Sequence, residues 1–133
     1  MSAYLLDTNA LLWIGLEPEA LTAQTTARLM DADLYVSVIS AAEIAIKASI
    51  GKLYLPPPFE TDFGGAFRNL LARSAIDLLP LDLKVIEHLR QLPLHHRDPF
   101  DRIIIAQAFA EGLAVATRDR AFFAYPGLEI LEV

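Results

Sequence analysis

Short apolar runs of strand length alternate along this chain with longer stretches whose apolar residues recur at helical spacing, and this alternation constrains the fold more than any other feature. Tyr4 to Leu6, Leu34 to Ile39, Ile76 to Leu79 and Leu113 to Thr117 read as strands, with Leu128 to Leu131 as a weaker final one. Helices are expected from Asn9 to Leu16, from about Thr22 to Met30 with Thr22 as cap, and from Ser40 to Ile50 with Gly51 closing it. Further helices are expected at Asp62 to Arg73, Asp82 to Gln91 and Pro99 to Glu111, the last ended by Gly112. Within them Phe63, Phe67, Leu70 and Leu71 share one face, and Val85, Ile86 and Leu89 are expected to point inward. Such an order predicts a three-layer α/β/α fold around a mainly parallel sheet. Pro56-Pro57-Pro58 makes a stiff extended connection, and 133 residues fit one domain.

Acids stand at matching places in this pattern. Asp7, Glu43 and Asp119 each follow a strand-like run, and Asp98 and Asp101 open the helix that begins at Pro99. In a parallel sheet the carboxyl ends of the strands share one edge, so acids far apart in sequence converge there. Two unit charges ~4 Å apart at an effective dielectric near 20 repel by about 4 kcal/mol. A group of ionised acids in one pocket therefore wants a cation, and oxygen ligands suit Mg²⁺ or Mn²⁺.

Each acid also has a local structural use. Asp7, with Thr8 and Asn9, fits a helix cap, or else a metal ligand with Thr8 or Asn9 steadying the loop. Ser40-Ala41-Ala42-Glu43 has capping-box spacing, and Lys47 stands four residues after Glu43. Both of these uses turn the Glu43 carboxylate toward its own helix, whereas a metal role turns it toward the other acids. Asp98-Pro99 reads as a cap followed by proline in the first turn, and Asp119 as a turn residue beside Thr117, whose hydroxyl is placed to hold a metal-bound water. His95-His96 reads as a solvated pair without a third ligand at helical spacing, and Trp13 as core or interface.

Charge and composition narrow the function. A net charge of -6 argues against coating nucleic acid by bulk electrostatics. Basic residues nonetheless lie beside the acids in sequence: Lys47, Lys52, Arg97, Arg102, Arg118 and Arg120, either as a rim for a phosphate-bearing substrate or as ordinary ion-pair partners. Without cysteine the chain has no disulfide or thiolate nucleophile. No signal sequence or membrane span is read, so a cytoplasmic, soluble protein is expected.

The residues so assembled resemble the PIN-domain family, in particular the VapC-type toxins of bacterial toxin-antitoxin pairs. The resemblance runs through Leu5-Leu6-Asp7-Thr8-Asn9, Ser40-Ala41-Ala42-Glu43-Ile44, Asp98-Pro99-Phe100-Asp101-Arg102 with Ile105-Ala106-Gln107-Ala108, and Thr117-Arg118-Asp119. It implies a single PIN-like nuclease domain spanning residues 1–133 and a Mg²⁺- or Mn²⁺-dependent endoribonuclease. It assigns the metal-binding and catalytic acids to Asp7, Glu43, Asp101 and Asp119, with Asp98 as an additional acid. It also implies a homodimer and a cognate antitoxin whose tail occupies the acidic cleft, with contacts from the N-terminal helices and the Phe59 to Phe67 region.

In this reading a metal-activated water hydrolyses single-stranded or looped RNA, Asp101 or Asp119 orients that water, and no covalent enzyme intermediate forms. Two other classes compete. One is a catalytically silent PIN-like module that holds RNA or protein. The other is a receiver-type phosphoacceptor domain, which fits poorly because the first strand lacks paired aspartates and no lysine follows the late strand Leu113 to Thr117.

Overall fold

The computed structural model describes residues 2–133. Five parallel strands form one sheet: β1 (Ala3–Leu6), β2 (Asp33–Ser37), β3 (Ile76–Leu79), β4 (Ala114–Thr117) and β5 (Ile130–Glu132), in the order β3-β2-β1-β4-β5. Helices α1 (Thr8–Leu16), α2 (Ala23–Met30), α3 (Val38–Ser49), α4 (Phe63–Arg73), α5 (Leu83–Gln91) and α6 (Pro99–Glu111) connect them.

Side chains alternate across β1, which sorts the core into two layers. Tyr4 and Leu6 join Leu34, Val36 and Ala116 beneath Leu11, Leu29, Phe67 and Leu70 of α1, α2 and α4. Leu5 points the other way, with Val115, onto Ile104, Ile105 and Ala108 of α6. A sheet covered on both faces by helices is the expected three-layer α/β/α arrangement, and here it is wholly parallel.

Most helix ends fall where cap chemistry places them. Thr22, Asp62 and Asp82 each accept a hydrogen bond from the amide three residues on, and Gly112 closes α6 at φ 67. One boundary differs. Val38 and Ile39 were expected to extend β2, but the strand ends at Ser37, opposite Leu79 at the end of β3. Ser37, not Ser40, caps α3, its hydroxyl accepting from the Ile39 amide, so no capping box forms between Ser40 and Glu43. Ile86 is another departure: it is exposed on α5, whereas Val85 is buried.

β1 lies between β2 and β4, so the chain leaves it toward opposite sides of the sheet at the carboxyl edge. That edge carries Asp7, Ser37 and Thr117 at the last turn of three strands, and the N-terminal ends of α1 and α3 open there. Among the described residues, no helix is long and apolar enough to cross a membrane.

Candidate active site

Asp7 follows β1 and is 4% exposed. Its Oδ1 accepts from the Ala10 amide at 2.8 Å, which caps α1, while Oδ2 accepts from the Thr117 hydroxyl at 2.6 Å. Thr117 Oγ1 in turn accepts from the Asp119 amide at 3.0 Å, tying the ends of β1 and β4 together. Burial, opposed by these hydrogen bonds and reinforced by the charges of Asp119 and Glu43, pushes the Asp7 pKa up to about 6.

Glu43 arrives on the second turn of α3 and is also 4% exposed. The Thr8 hydroxyl donates to its Oε1 at 2.6 Å, and Ser40 Oγ lies 3.0 Å from the same hydroxyl, so both residues steady Glu43 from inside the protein. Its other oxygen, Oε2, takes the Lys47 ammonium at 2.6 Å. The ion pair and the inward placement coexist, because Lys47 reaches toward the acids. The Glu43 bond raises the Lys47 pKa against the effect of burial, and the charges of Glu43, Asp98 and Asp101 add to that rise.

Asp98 caps α6 through Oδ1, which accepts from the amides of Phe100 and Asp101 at 2.9 and 3.1 Å. Asp101, one turn in, is partly buried, and desolvation pushes its pKa up to about 6; the hydrogen bond to His96 opposes this, and Asp98 and Glu43 raise it further. Asp119 caps the short 3-10 turn Arg120–Ala124 through Oδ1, which accepts from the Ala121 amide at 2.9 Å. Its Oδ2 lies 3.9 Å from His96 Nε2. In Asp7, Asp98 and Asp119 alike, capping uses Oδ1 and leaves Oδ2 outside the cap.

His96 was read as solvated, yet it is inside the group. Its Nε2 lies 2.8 Å from Asp101 Oδ2, and His96, Asp101 and Asp119 each offer a ligand atom within 4.8 Å of one another. Its signal in the sequence was the density of acids and basic residues from His96 to Arg102, not any helical spacing.

The basic residues divide. Arg102 turns toward its own loop, its guanidinium donating to the carbonyls of Leu92, Pro93 and His96 and lying 3.3 Å from Tyr125 Oη. Arg118 lies 4.1 Å over the Trp13 ring and donates to the carbonyls of Ala20 and Val133. Arg120 pairs with Glu132 at 3.3 Å and covers Phe123. Arg97 is exposed, beside Leu94 and Pro99. Asn9 is exposed too, facing a groove with Trp13, Leu53 and Tyr54.

Among the described residues, the side chains close enough to share one cation are His96, Asp101 and Asp119; Asp7 and Glu43 do not fall in that group. The donors of that group are mostly carboxylate oxygens, which suit a hard divalent cation; burial pushes the pKa of Asp7 and of Asp101 up, and the nearby Lys47 ammonium is paired with Glu43.

Residues 4–128 match the family described as PIN domain. No curated protein sequence matches the chain. Among solved structures, the chain is similar to VapBC2 from Rickettsia felis bound to a DNA fragment from their promoter, at 18% identity, TM-score 0.71 and 97% of each chain covered. It is similar to DNA-bound VapBC from Salmonella typhimurium at 24% identity and TM-score 0.69, covering 98% of each chain. VapBC-5 from Mycobacterium tuberculosis, a member of the VapBC family of toxin-antitoxin systems, aligns over 100% of each chain at 23% identity and TM-score 0.60.

Proposed function

The chain belongs to the PIN domain family, and from that premise we propose that it is a Mg²⁺- or Mn²⁺-dependent endoribonuclease, the toxin of a toxin-antitoxin pair. One observation carries the proposal: acids from four separate segments meet at the carboxyl edge of the sheet, with Asp7 and Asp101 desolvated there. Asp7, Glu43, Asp101 and Asp119 are the metal-binding and catalytic set, with Asp98 as a further acid. Residues 1–133 then act as a single nuclease domain.

A bound divalent cation supplies Lewis-acid polarisation of a phosphate and activation of a water nucleophile. The chain's own groups do the rest. Thr117 fixes Asp7 in one rotamer, Thr8 fixes Glu43, and the α1 and α6 caps lock the backbones that carry Asp7 and Asp101. Lys47 is a cation near the acids that can turn to a phosphate once Glu43 is neutralised otherwise. Asp101 or Asp119 would orient the attacking water. Thr8, Thr117 and Ser40 thus support the acids, and Arg97 is the arginine best placed for the substrate backbone, because Arg102 and Arg118 have their donors engaged within the protein.

RNA is proposed as substrate because unpaired strands present both backbone and bases to an open edge. A cognate antitoxin is the proposed partner, supported by the likeness to the VapBC assemblies, with a homodimer and a cytoplasmic location as part of the same reading.

Purified chain, stripped of bound protein and metal, tests the proposal when given Mg²⁺ or Mn²⁺ and a set of structured RNAs. Cleavage that needs the metal and disappears in Asp101→Asn supports it. Intact RNA under all conditions, or cutting that persists in Asp101→Asn and Glu43→Gln, would leave a non-cutting binding module instead.

A further inference from the structure

We propose that His96 is a nitrogen ligand for a divalent cation held with Asp101 and Asp119, and that it shifts the site's preference from Mg²⁺ toward Mn²⁺. This inference rests on the metal-dependent reading above and adds a residue and a selectivity to it.

The distances fit a shared ion. Six-coordinate cations of this size place ligands ~2.1 Å from the metal, which puts neighbouring ligand atoms ~3 Å apart and opposite ones about 4.2 Å apart. His96 Nε2 lies 2.8 Å from Asp101 Oδ2 and 3.9 Å from Asp119 Oδ2, and one ligand atom from each residue lies within 4.8 Å of the others. His96 and Asp101 lie five residues apart, in the loop before α6 and in its first turn, and Asp119 joins them from the loop after β4.

The imidazole is also placed in advance. The His96 amide donates to Tyr125 Oη at 3.1 Å, and its carbonyl accepts from Arg102 at 3.4 Å. Arg102 pins the same loop at Leu92 and Pro93, and the Phe122 ring packs 6.0 Å from the imidazole. Only 17% of the His96 side chain is exposed. The neighbouring His95 is exposed and packs edge-on against Tyr125 instead.

An ordinary histidine-carboxylate hydrogen bond is the competing account, and it makes the opposite demand on one atom. A hydrogen bond to ionised Asp101 needs a proton on Nε2, whereas ligation needs a lone pair there and a proton on Nδ1. The consequences differ as well. Carboxylate sets hold Mg²⁺ and Mn²⁺ alike, but an imidazole nitrogen favours a first-row transition ion over Mg²⁺.

Pulsed EPR on the metal-free full chain loaded with Mn²⁺ alone decides between them, alongside calorimetric titrations with Mn²⁺ and with Mg²⁺. Directly coordinated ¹⁴N coupling is expected in the parent protein and not in His96→Gln, which retains an amide donor for Asp101. Mn²⁺ affinity is expected to fall about 10- to 100-fold in His96→Ala, on the scale of losses at tuned metal sites, and Mg²⁺ affinity much less. Bound Mn²⁺ without ¹⁴N coupling, or equal losses for both ions, overturns the His96 assignment and leaves the acid site standing. Failure of either ion to bind, with Asp101→Asn indistinguishable from the parent, overturns the metal reading itself. Thermal melts of both His96 variants separate a lost ligand from a lost fold.

Discussion

Asp7 is buried as an acid at a cost, and replacing it by the neutral isostere should make the metal-free protein more stable while abolishing its activity. Burial sets the folded-state pKa at about 6 against an ordinary value of 3.8. The folded chain thus holds the proton more tightly than the unfolded chain does. Below about pH 3.8 both states are protonated and there is no penalty; as pH rises toward 6 the folded state alone resists ionisation, and above 6 the penalty is complete. The gap corresponds to about 3 kcal/mol at neutral pH.

In Asp7→Asn the amide oxygen can still accept from Ala10, keeping the α1 cap, and the amide itself retains part of the desolvation cost. A gain of about 1 to 2 kcal/mol is therefore expected at pH 7.5 in EDTA, which for a chain of this size raises Tm by roughly 4 to 8 °C. Near pH 4 the difference should shrink to under about 1 kcal/mol. Saturating Mg²⁺ should reverse the order, since an ion present at 100 times its Kd stabilises the parent by about 2.7 kcal/mol. Calorimetric melts of both proteins across pH 4 to 8, with and without Mg²⁺, measure each of these. An Asp7→Asn protein that melts below the parent at pH 7.5 in EDTA, or a difference independent of pH, would refute the reasoning.

Other perturbations bear on the scaffold of the site. Arg102→Ala removes the donor that ties the carbonyls of Leu92, Pro93 and His96, and should cost about 2 to 3 kcal/mol in urea unfolding with a loss of cleavage that added metal does not restore. Gly15→Ala sets a methyl group 2.8 Å from the buried Leu70 side chain and should destabilise by about 1 to 3 kcal/mol through overpacking, with the metal affinity of the folded fraction unchanged.

The sheet and its helices were legible because apolar periodicity and cap residues agree along most of the chain. The exception at Val38 and Ile39 has a physical reason. β-branched residues suit a strand and also pack in the first turn of a helix, and β2 stops where its partner β3 stops, which is a tertiary fact. The caps at Asp7, Asp98 and Asp119 were legible, whereas the expectation that a helix-directed Glu43 would turn away from the other acids did not hold. A carboxylate has two oxygens, and Glu43 uses one for Thr8 and the other for a lysine that leans into the same cluster. His96 was not legible, because its place depends on Arg102 and Tyr125 gripping an irregular loop. Nor does a sequence state which way an arginine points: Arg97 and Arg102 flank the same acids, and one is exposed while the other spends its guanidinium on carbonyls.

The hydrogen bond from Thr117 to Asp7 joins residues 110 positions apart. The entropy cost of closing a loop grows only with the logarithm of its length, so a tie this distant costs little more than a nearer one. A fragment that ends before β4 keeps Asp7 and lacks both the hydroxyl that holds its Oδ2 and Asp119. The tie is thus a property of the closed sheet: it exists only where β1 and β4 lie side by side, and no piece of the chain shorter than that span contains both of its ends.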